Sequence, residues 1–142
     1  MLYDQLGARR FRSTLERARK LRSSRELAPR SLSPFLMSWR ALHDMVNPDG
    51  DYNVFPFLEA SGRVRLSRRP LFRHLKRVEK PSLFIYGEND QYIDDVSEAV
   101  RLLDRAVGPK TNFEFVIMKD ADHGFGGHET ELGTLIADWI TS

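Results

Sequence analysis

Residues 82–87 read SLFIYG, and this apolar run closed by a glycine decides the fold of the second half of the chain. A short run without alternating polar residues is typical of a strand buried on both faces, as in a parallel sheet. A second run, FEFVIM, occupies residues 113–118. Apolar residues between the runs predict a helix that stops at Gly108-Pro109; they are Val96, Ala99, Val100, Leu103, Ala106 and Val107. The order strand, helix, strand predicts a parallel βαβ unit with a right-handed crossover.

A further helical pattern follows the second strand. Its apolar positions are Leu132, Leu135, Ile136, Trp139 and Ile140. Residues 80–142 are therefore expected to form a two-stranded parallel βαβα unit of an α/β protein.

The preceding residues, 1–79, are expected to form a basic helical segment. The spacing of Phe11, Leu15, Ala18 and Leu21 predicts a helix over residues 3–22 whose other positions are rich in arginine. Such a helix either packs its apolar stripe on a core or lies on an anionic membrane, and packing on a core is the expected arrangement.

The rest of this segment is less regular. A second apolar helix is predicted from Phe35 to the turn signal Asn47-Pro48-Asp49-Gly50. Residues 52–57 are expected to form an apolar loop, and residues 70–78 a short helix that leads to the boundary before Pro81.

Charge divides the chain at the same boundary. Residues 1–80 carry 18 Lys and Arg against 8 Asp and Glu, whereas residues 81–142 carry 4 against 12. The two halves therefore have different surfaces. A basic surface can bind nucleic acid, and Arg63, Arg65, Arg68 and Arg69 could contact phosphates. Because no recognition helix, zinc module or RNA-binding aromatic motif accompanies them, a solvated basic face is expected, with no nucleic-acid partner.

Composition excludes several classes of protein. The chain has 142 residues, about one domain's worth, and no apolar run approaches the ~20 residues of a transmembrane helix. It contains no cysteine, which excludes disulfides, thiolate metal sites and a cysteine nucleophile. Charges begin at Asp4, so a signal peptide is not expected and the expected location is the cytoplasm.

Polar residues that suit acid–base chemistry follow the two strands. Asp90 lies just past the first strand and His123 just past the second. Catalytic groups of open parallel sheets sit beyond the carboxyl ends of the strands, so adjacent strands would bring these side chains together. An aspartate that orients a histidine ring leaves the other ring nitrogen free to act as a general base.

These residues stand in an order that resembles the C-terminal part of the α/β-hydrolase fold. The pattern is Pro81, Leu83, Gly87 and Asp90, then a helix, a strand and His123-Gly124. The resemblance implies that Asp90 is the acid and His123 the base of a catalytic triad. It implies that the helix containing Trp139 is the closing helix of the fold, and that residues 1–57 are similar to the helical lid inserted in many members.

The nucleophile of that family has no counterpart in this chain. The family order is Ser, then Asp or Glu, then His, with the serine in a Gly-x-Ser-x-Gly elbow. The nearest context is Glu59-Ala60-Ser61-Gly62-Arg63, in which Glu59 and Arg63 replace the glycines. The resemblance therefore implies a serine hydrolase of ester or other acyl bonds whose nucleophile and oxyanion hole lie outside the given residues. No cofactor is expected, and the chain alone is predicted to be inactive.

Other interpretations of the site residues stay open. Asp90 could be a turn residue, Glu88 could replace it as the acid, and His123 could be an ordinary loop histidine. Asp94 and Asp95 are expected to supply an N-cap and a first-turn acid for the next helix, and His128 to lie at the start of the last helix. Asp120, Asp122, His123 and His128 could be drawn as a metal site, but their spacing matches no known metal motif and no metal is expected.

Two functions follow from these patterns. In the first, the complete protein hydrolyses a small-molecule acyl substrate, and an apolar pocket for the acyl group is lined by Phe35, Trp39, Leu42, Phe55 and Phe57. In the second, the chain is a shortened, inactive product that binds another protein or itself. A two-stranded parallel sheet leaves strand edges unpaired, which favours self-association.

Overall fold

The computed structural model of the chain describes residues 2–33, 35–52, 55–109 and 112–142. These residues form a mixed α/β structure with five α-helices and one parallel sheet of two strands. They divide into two compact units, residues 1–71 and residues 72–142. No helix of the described part of the chain is long and apolar enough to cross a bilayer.

The first unit is helical. It contains α1 (Leu2–Lys20), α2 (Trp39–Val46), the single turn α3 (Phe57–Ala60) and a 3₁₀ turn at Arg30–Leu32. The backbone bends at Gly7, where φ is 70° and ψ is 164°. Glycine tolerates this conformation because it has no Cβ.

The core of the first unit lies between α1 and α2. Its buried residues are Ala18, Ala28, Leu32, Trp39 and Leu42. Phe11 is also buried, while Leu15 and Leu21 are half-buried. The predicted stripe of α1 therefore faces this core, which supports the interpretation of α1 as a surface helix.

The second helix begins later than its apolar residues predicted. Residues 35–38 are not helical, because the chain there pairs with residues 26–28: Ala28 N–H donates to Met37 O and Trp39 N–H to Glu26 O, each at 2.9 Å. Ser38 then caps α2 by accepting a hydrogen bond from Ala41 N–H at 3.2 Å. The prediction of a helix from Phe35 was wrong.

Two further expectations for this region need correction. The turn α3 begins at Phe57, within the span expected to be a loop, and residues 53 and 54 of that span lie outside the described residues. The short helix predicted over residues 70–78 is a turn followed by a 3₁₀ turn at Leu75–Arg77.

The second unit contains the predicted order of strands and helices. These are β1 (Ser82–Gly87), α4 (Val96–Val107), β2 (Phe113–Met118) and α5 (Glu129–Thr141). The strands are parallel and pair from Ser82 with Phe113 through to Gly87 with Met118. The coarse α/β assignment is therefore confirmed, with the βαβα order of residues 80–142.

Local signals explain why α4 has these bounds. Asp95 accepts a hydrogen bond from Glu98 N–H at 2.8 Å and caps its N-terminus. Gly108 follows its last turn with φ 66°, a left-handed conformation that favours glycine. The buried face of α4 consists of Val96, Ala99, Leu102, Leu103 and Val107.

The sheet is less buried than its sequence predicted. Within β1 and β2 only Gly87 and Met118 are buried, and Ile117 is 36% exposed. No residue of α5 is buried. The other residues of the two strands are half-buried or exposed, so the expectation of strands buried on both faces was wrong here.

The boundary between the two units lies after Leu71 and so precedes the charge boundary at Lys80-Pro81. The 3₁₀ turn at Leu75–Arg77 contacts α4 and so belongs to the second unit. The division into a lid-like segment (1–79) and a hydrolase core part (80–142) rested on charge and motif, and it stays a prediction.

Candidate functional site

The candidate site lies where β1 and β2 end. Because the strands are parallel neighbours, the loops that follow them leave the same edge of the sheet. Backbone hydrogen bonds join these loops: Glu88 N–H donates to Met118 O at 2.9 Å, and Asn89 N–H to Ala121 O at 2.8 Å. The carboxylate of Glu88 also accepts from Asp120 N–H at 3.0 Å. The two loops are therefore fixed against each other.

Gly87 allows the second loop to pass close to the end of β1. A Cβ at this position would lie 2.5 Å from Ala121 O and closer still to Asp122 O. Both neighbours are backbone atoms, which cannot rotate away as a flexible side chain can. The glycine is required by this close approach, and the approach positions His123, the next residue of the loop.

Asp90 and His123 form the central pair of the site. His123 Nδ1 lies 2.8 Å from Asp90 Oδ2. The Asp90 side chain is 4% exposed, whereas that of His123 is 58% exposed. An ionised carboxylate can only accept a hydrogen bond, so Nδ1 is the donor and, in the neutral ring, Nε2 carries the free lone pair.

The second oxygen of Asp90 has a structural role. Oδ1 accepts a hydrogen bond from Tyr92 N–H at 2.9 Å, which closes a turn two residues long. Asp90 is therefore a turn residue and a histidine partner at once. The interpretation as a turn residue and the interpretation as an acid do not exclude each other.

One tyrosine contacts His123, and the charge of Asp90 acts on a second. The ring of Tyr92 packs edge-on against the His123 imidazole, with centroids 4.7 Å apart and planes at 82°. Burial, followed by the charge of Asp90, raises the pKa of Tyr86 to about 12. Tyr86 therefore stays a neutral phenol near neutral pH.

Asp122 organises the loop after His123. Its Oδ1 accepts hydrogen bonds from Gly124 N–H at 2.9 Å and Gly126 N–H at 3.2 Å. The loop contains left-handed backbone at Phe125 (φ 56°) and Gly127 (φ 80°). In the part of the chain that the structure describes, no three His, Asp or Glu side chains are grouped so that they could hold a metal ion.

The other residues considered in the sequence have structural contacts. Asp95, and not Asp94, caps α4. His128 is the N-cap residue of α5, with Nδ1 3.3 Å from Glu131 Oε2. Ser61 lies at the end of α3, where its hydroxyl donates to Leu58 O at 3.2 Å.

The five aromatic and aliphatic residues expected to line an acyl pocket do not line one common pocket. Trp39 and Leu42 belong to the core of the first unit, and Phe35 is 74% exposed. Phe55 and Phe57 stack with centroids 5.9 Å apart and border an apolar cavity of about 330 Å³ within that unit. The five-residue pocket was therefore a wrong prediction.

Sequence reasoning missed Tyr92 and Gln91. The side-chain oxygen of Gln91 accepts from His123 N–H at 3.4 Å. The side chain of an aspartate in a turn often accepts a hydrogen bond from the backbone N–H two residues later. This pattern could have predicted the contact of Asp90 with Tyr92 N–H. The ring contact of Tyr92 with His123 has no signal in the sequence, because it depends on the path of both loops.

Comparison with known proteins adds no relative. No protein-family model matches the chain, and no curated protein or solved structure is significantly similar to it. The likeness to an α/β-hydrolase therefore rests on the order of motifs around Asp90 and His123.

Proposed function

We propose that this chain supplies the acid and the general base of a serine hydrolase of the α/β-hydrolase type. The substrate class is an ester or another acyl compound. The serine nucleophile and the oxyanion hole would come from residues outside the given sequence. The observation that carries the proposal is the 2.8 Å hydrogen bond between buried Asp90 and exposed His123.

The geometry suits each step of acyl transfer. Asp90 would accept a hydrogen bond from Nδ1–H and hold the ring in one tautomer, with the proton remaining on Nδ1. His123 Nε2 would take the serine hydroxyl proton as the oxygen attacks the acyl carbon, and would then give that proton to the leaving group. In the second half, Nε2 would take a proton from water as the water oxygen attacks the acyl carbon. It would then give that proton to the serine oxygen as the acyl–serine bond breaks, which releases the acid.

The contrast in burial supports this assignment of roles. Asp90 is enclosed and has hydrogen-bond partners on both oxygens, so its position is fixed. His123 is open on one side, where a nucleophile could reach it. The rival acid Glu88 is bonded to Asp120 N–H instead.

The decisive experiment uses the DNA that encodes the chain. The reading frame upstream of Met1 is expressed together with residues 1–142 and exposed to a serine-directed fluorophosphonate probe. We expect labelling and ester hydrolysis in the extended protein, loss of hydrolysis in His123→Ala, and no labelling of residues 1–142 alone.

Two results would overturn the proposal. One is an upstream frame that lacks both additional strands and a serine elbow. The other is an extended protein whose His123→Ala variant hydrolyses esters at the original rate.

A second candidate function is supported by the exposed surface of the second unit. α5 has no buried residue, Ile140 is 70% exposed, and each strand has one strand neighbour among the described residues. Such a surface favours pairing with another chain. On this alternative, the chain is an inactive hydrolase-like protein that associates with itself or with another protein.

A further inference from the structure

A second candidate site lies in the first unit, in the loop that follows α3. Glu59 of α3 and loop residues from Gly62 to Leu71 line a cavity of about 830 Å³. Four arginines line it, namely Arg63, Arg65, Arg68 and Arg69. This volume is within the usual range of small-molecule sites, about 300–1,000 Å³.

Two carboxylates hold the loop through its backbone. Glu59 accepts hydrogen bonds from Leu66 N–H at 2.6 Å and Ser67 N–H at 2.7 Å, and also from the Ser67 hydroxyl. Asp49 Oδ1 accepts from Arg68 N–H at 2.8 Å and Arg69 N–H at 2.9 Å. Four consecutive amides are thus fixed by acidic side chains.

This arrangement separates the acidic groups from the guanidinium groups. The acids bond the main chain, including the amides of two of the arginines. Arg63 has a partner, whereas the guanidinium groups of Arg65, Arg68 and Arg69 form no ion pair or hydrogen bond within the part of the chain that the structure describes. The loop therefore presents several positive charges on a constrained backbone.

We propose that this cavity binds a small organic di- or triphosphate. Guanidinium groups bind phosphate oxygens through paired, charge-assisted hydrogen bonds. The guanidinium groups of Arg65, Arg68 and Arg69 carry three positive charges, whereas a single phosphate monoester carries about −1.5 to −2 at pH 7. A chain of two or three phosphates therefore gives the better match of charge. Val64, Pro70 and Leu71 also line the cavity and offer apolar surface to the organic part.

The site is independent of the proposed hydrolase function. All of its residues belong to the first unit, whereas Asp90 and His123 belong to the second. Failure of either proposal leaves the other intact.

Inorganic pyrophosphate is the probe for the test, with binding to the full chain measured by isothermal titration calorimetry at low salt. We expect binding that is tighter than that of inorganic phosphate. The triple variant Arg65→Gln/Arg68→Gln/Arg69→Gln should lower the affinity at least about tenfold, because it removes three positive charges and their charge-assisted hydrogen bonds to the phosphates. The carboxylate bonds to the backbone amides remain possible in this variant, so the loop should keep its conformation.

A control variant removes the same charge elsewhere. Arg12→Gln/Arg19→Gln/Arg22→Gln alters three exposed arginines in and just after α1. It should bind pyrophosphate as the original chain does. Far-UV circular dichroism and thermal unfolding of both variants check that each is folded.

Two results would overturn the proposal. They are an absence of pyrophosphate binding by the original chain and an equal loss of affinity in both triple variants. In the first case, binding of a short single-stranded RNA through the loop arginines would assign these arginines to nucleic acid instead.

Discussion

The two carboxylate oxygens of Asp90 have different partners, and this difference makes the residue testable. Oδ1 accepts from Tyr92 N–H and Oδ2 faces His123 Nδ1. In Asp90→Asn the amide oxygen should keep the Tyr92 bond, because only an oxygen can accept it. The amide NH₂ then faces Nδ1 and donates to it. The ring proton is therefore expected to move to Nε2.

Nitrogen-15 NMR of the histidine ring measures this change of tautomer. At a pH where the ring is neutral, the original chain should show His123 protonated on Nδ1, and Asp90→Asn should show it protonated on Nε2. Glu88→Gln alters the rival acid and should leave the tautomer unchanged. If Glu88→Gln moves the proton and Asp90→Asn does not, Asp90 is not the partner of His123.

Tyr86 gives a prediction at high pH. Its pKa of about 12, against an ordinary value of 10.0, means that the folded chain holds the phenolic proton more tightly than the unfolded chain does. This group's contribution to stability is complete below pH 10 and is lost as the pH rises through 12. The free energy of unfolding should therefore fall more between these values in the original chain than in Tyr86→Phe.

Tyrosinate absorbance follows the same group directly. The ionisation near pH 12 should be absent in Tyr86→Phe. In Asp90→Asn the pKa of Tyr86 should fall but stay above its ordinary value, because burial is the larger cause of the shift. An unchanged titration in Tyr86→Phe would contradict the assignment.

The sequence could predict the contact of Asp90 with His123, but not its whole environment. The contact follows from topology, because loops after adjacent parallel strands meet at one edge of the sheet. The packing of Tyr92 on the imidazole and the raised pKa of Tyr86 depend on side-chain positions that strand order does not specify. No comparison tests the catalytic roles, which stay predictions.

At the level of elements, Gly87 couples β1 to the loop that carries His123. In Gly87→Ala the new methyl group would meet the backbone oxygens of Ala121 and Asp122, and the loop would have to move. We expect a loss of about 1–3 kcal/mol in the free energy of unfolding, the usual cost of overpacking. The hydrogen bond between His123 and Asp90 should weaken at the same time.

Urea unfolding and the His123 ring signals in NMR measure both effects. Gly126→Ala is the matched control, because the nearest atom to a Cβ at position 126 is Asp122 Oδ2 at 4.0 Å. Its effect should stay within about 0.5 kcal/mol. Equal stability of the two variants would show that the loop does not depend on the close approach at Gly87.

The elements also show for which segments the spacing of apolar residues predicts the secondary structure. β1, β2, α4 and α5 follow from apolar runs and helical spacing, since each is defined by residues close in sequence. Residues 35–38 were mispredicted because they pair with residues 26–28, and a contact of that kind is invisible to local spacing. Burial of the strands was also mispredicted, because it depends on which elements cover the two faces of the sheet, and the sequence of a strand does not specify these.

At the level of the whole molecule, the small sheet and the last helix of the second unit leave apolar surface uncovered. Its sheet has two strands, and the apolar side chains of β1, β2 and α5 are mostly half-buried or exposed. Two-stranded sheets are rarely stable without further strands or a covering element. Both candidate functions account for this surface, since it would be covered either by the rest of a longer hydrolase or by another chain.

Self-association tests whether residues 1–142 leave this surface uncovered. We expect the isolated chain to form dimers or larger species in sedimentation velocity experiments, through the exposed edges of the sheet. Ile117→Lys places a charge on β2 at a residue that is 36% exposed, and charged residues at sheet edges oppose strand pairing. This variant should shift the population towards monomer. Leu27→Lys, at a residue of the first unit that is 57% exposed, should leave it unchanged. A monomeric original chain that unfolds cooperatively would contradict the prediction, because the second unit would then be stable with its strand edges uncovered.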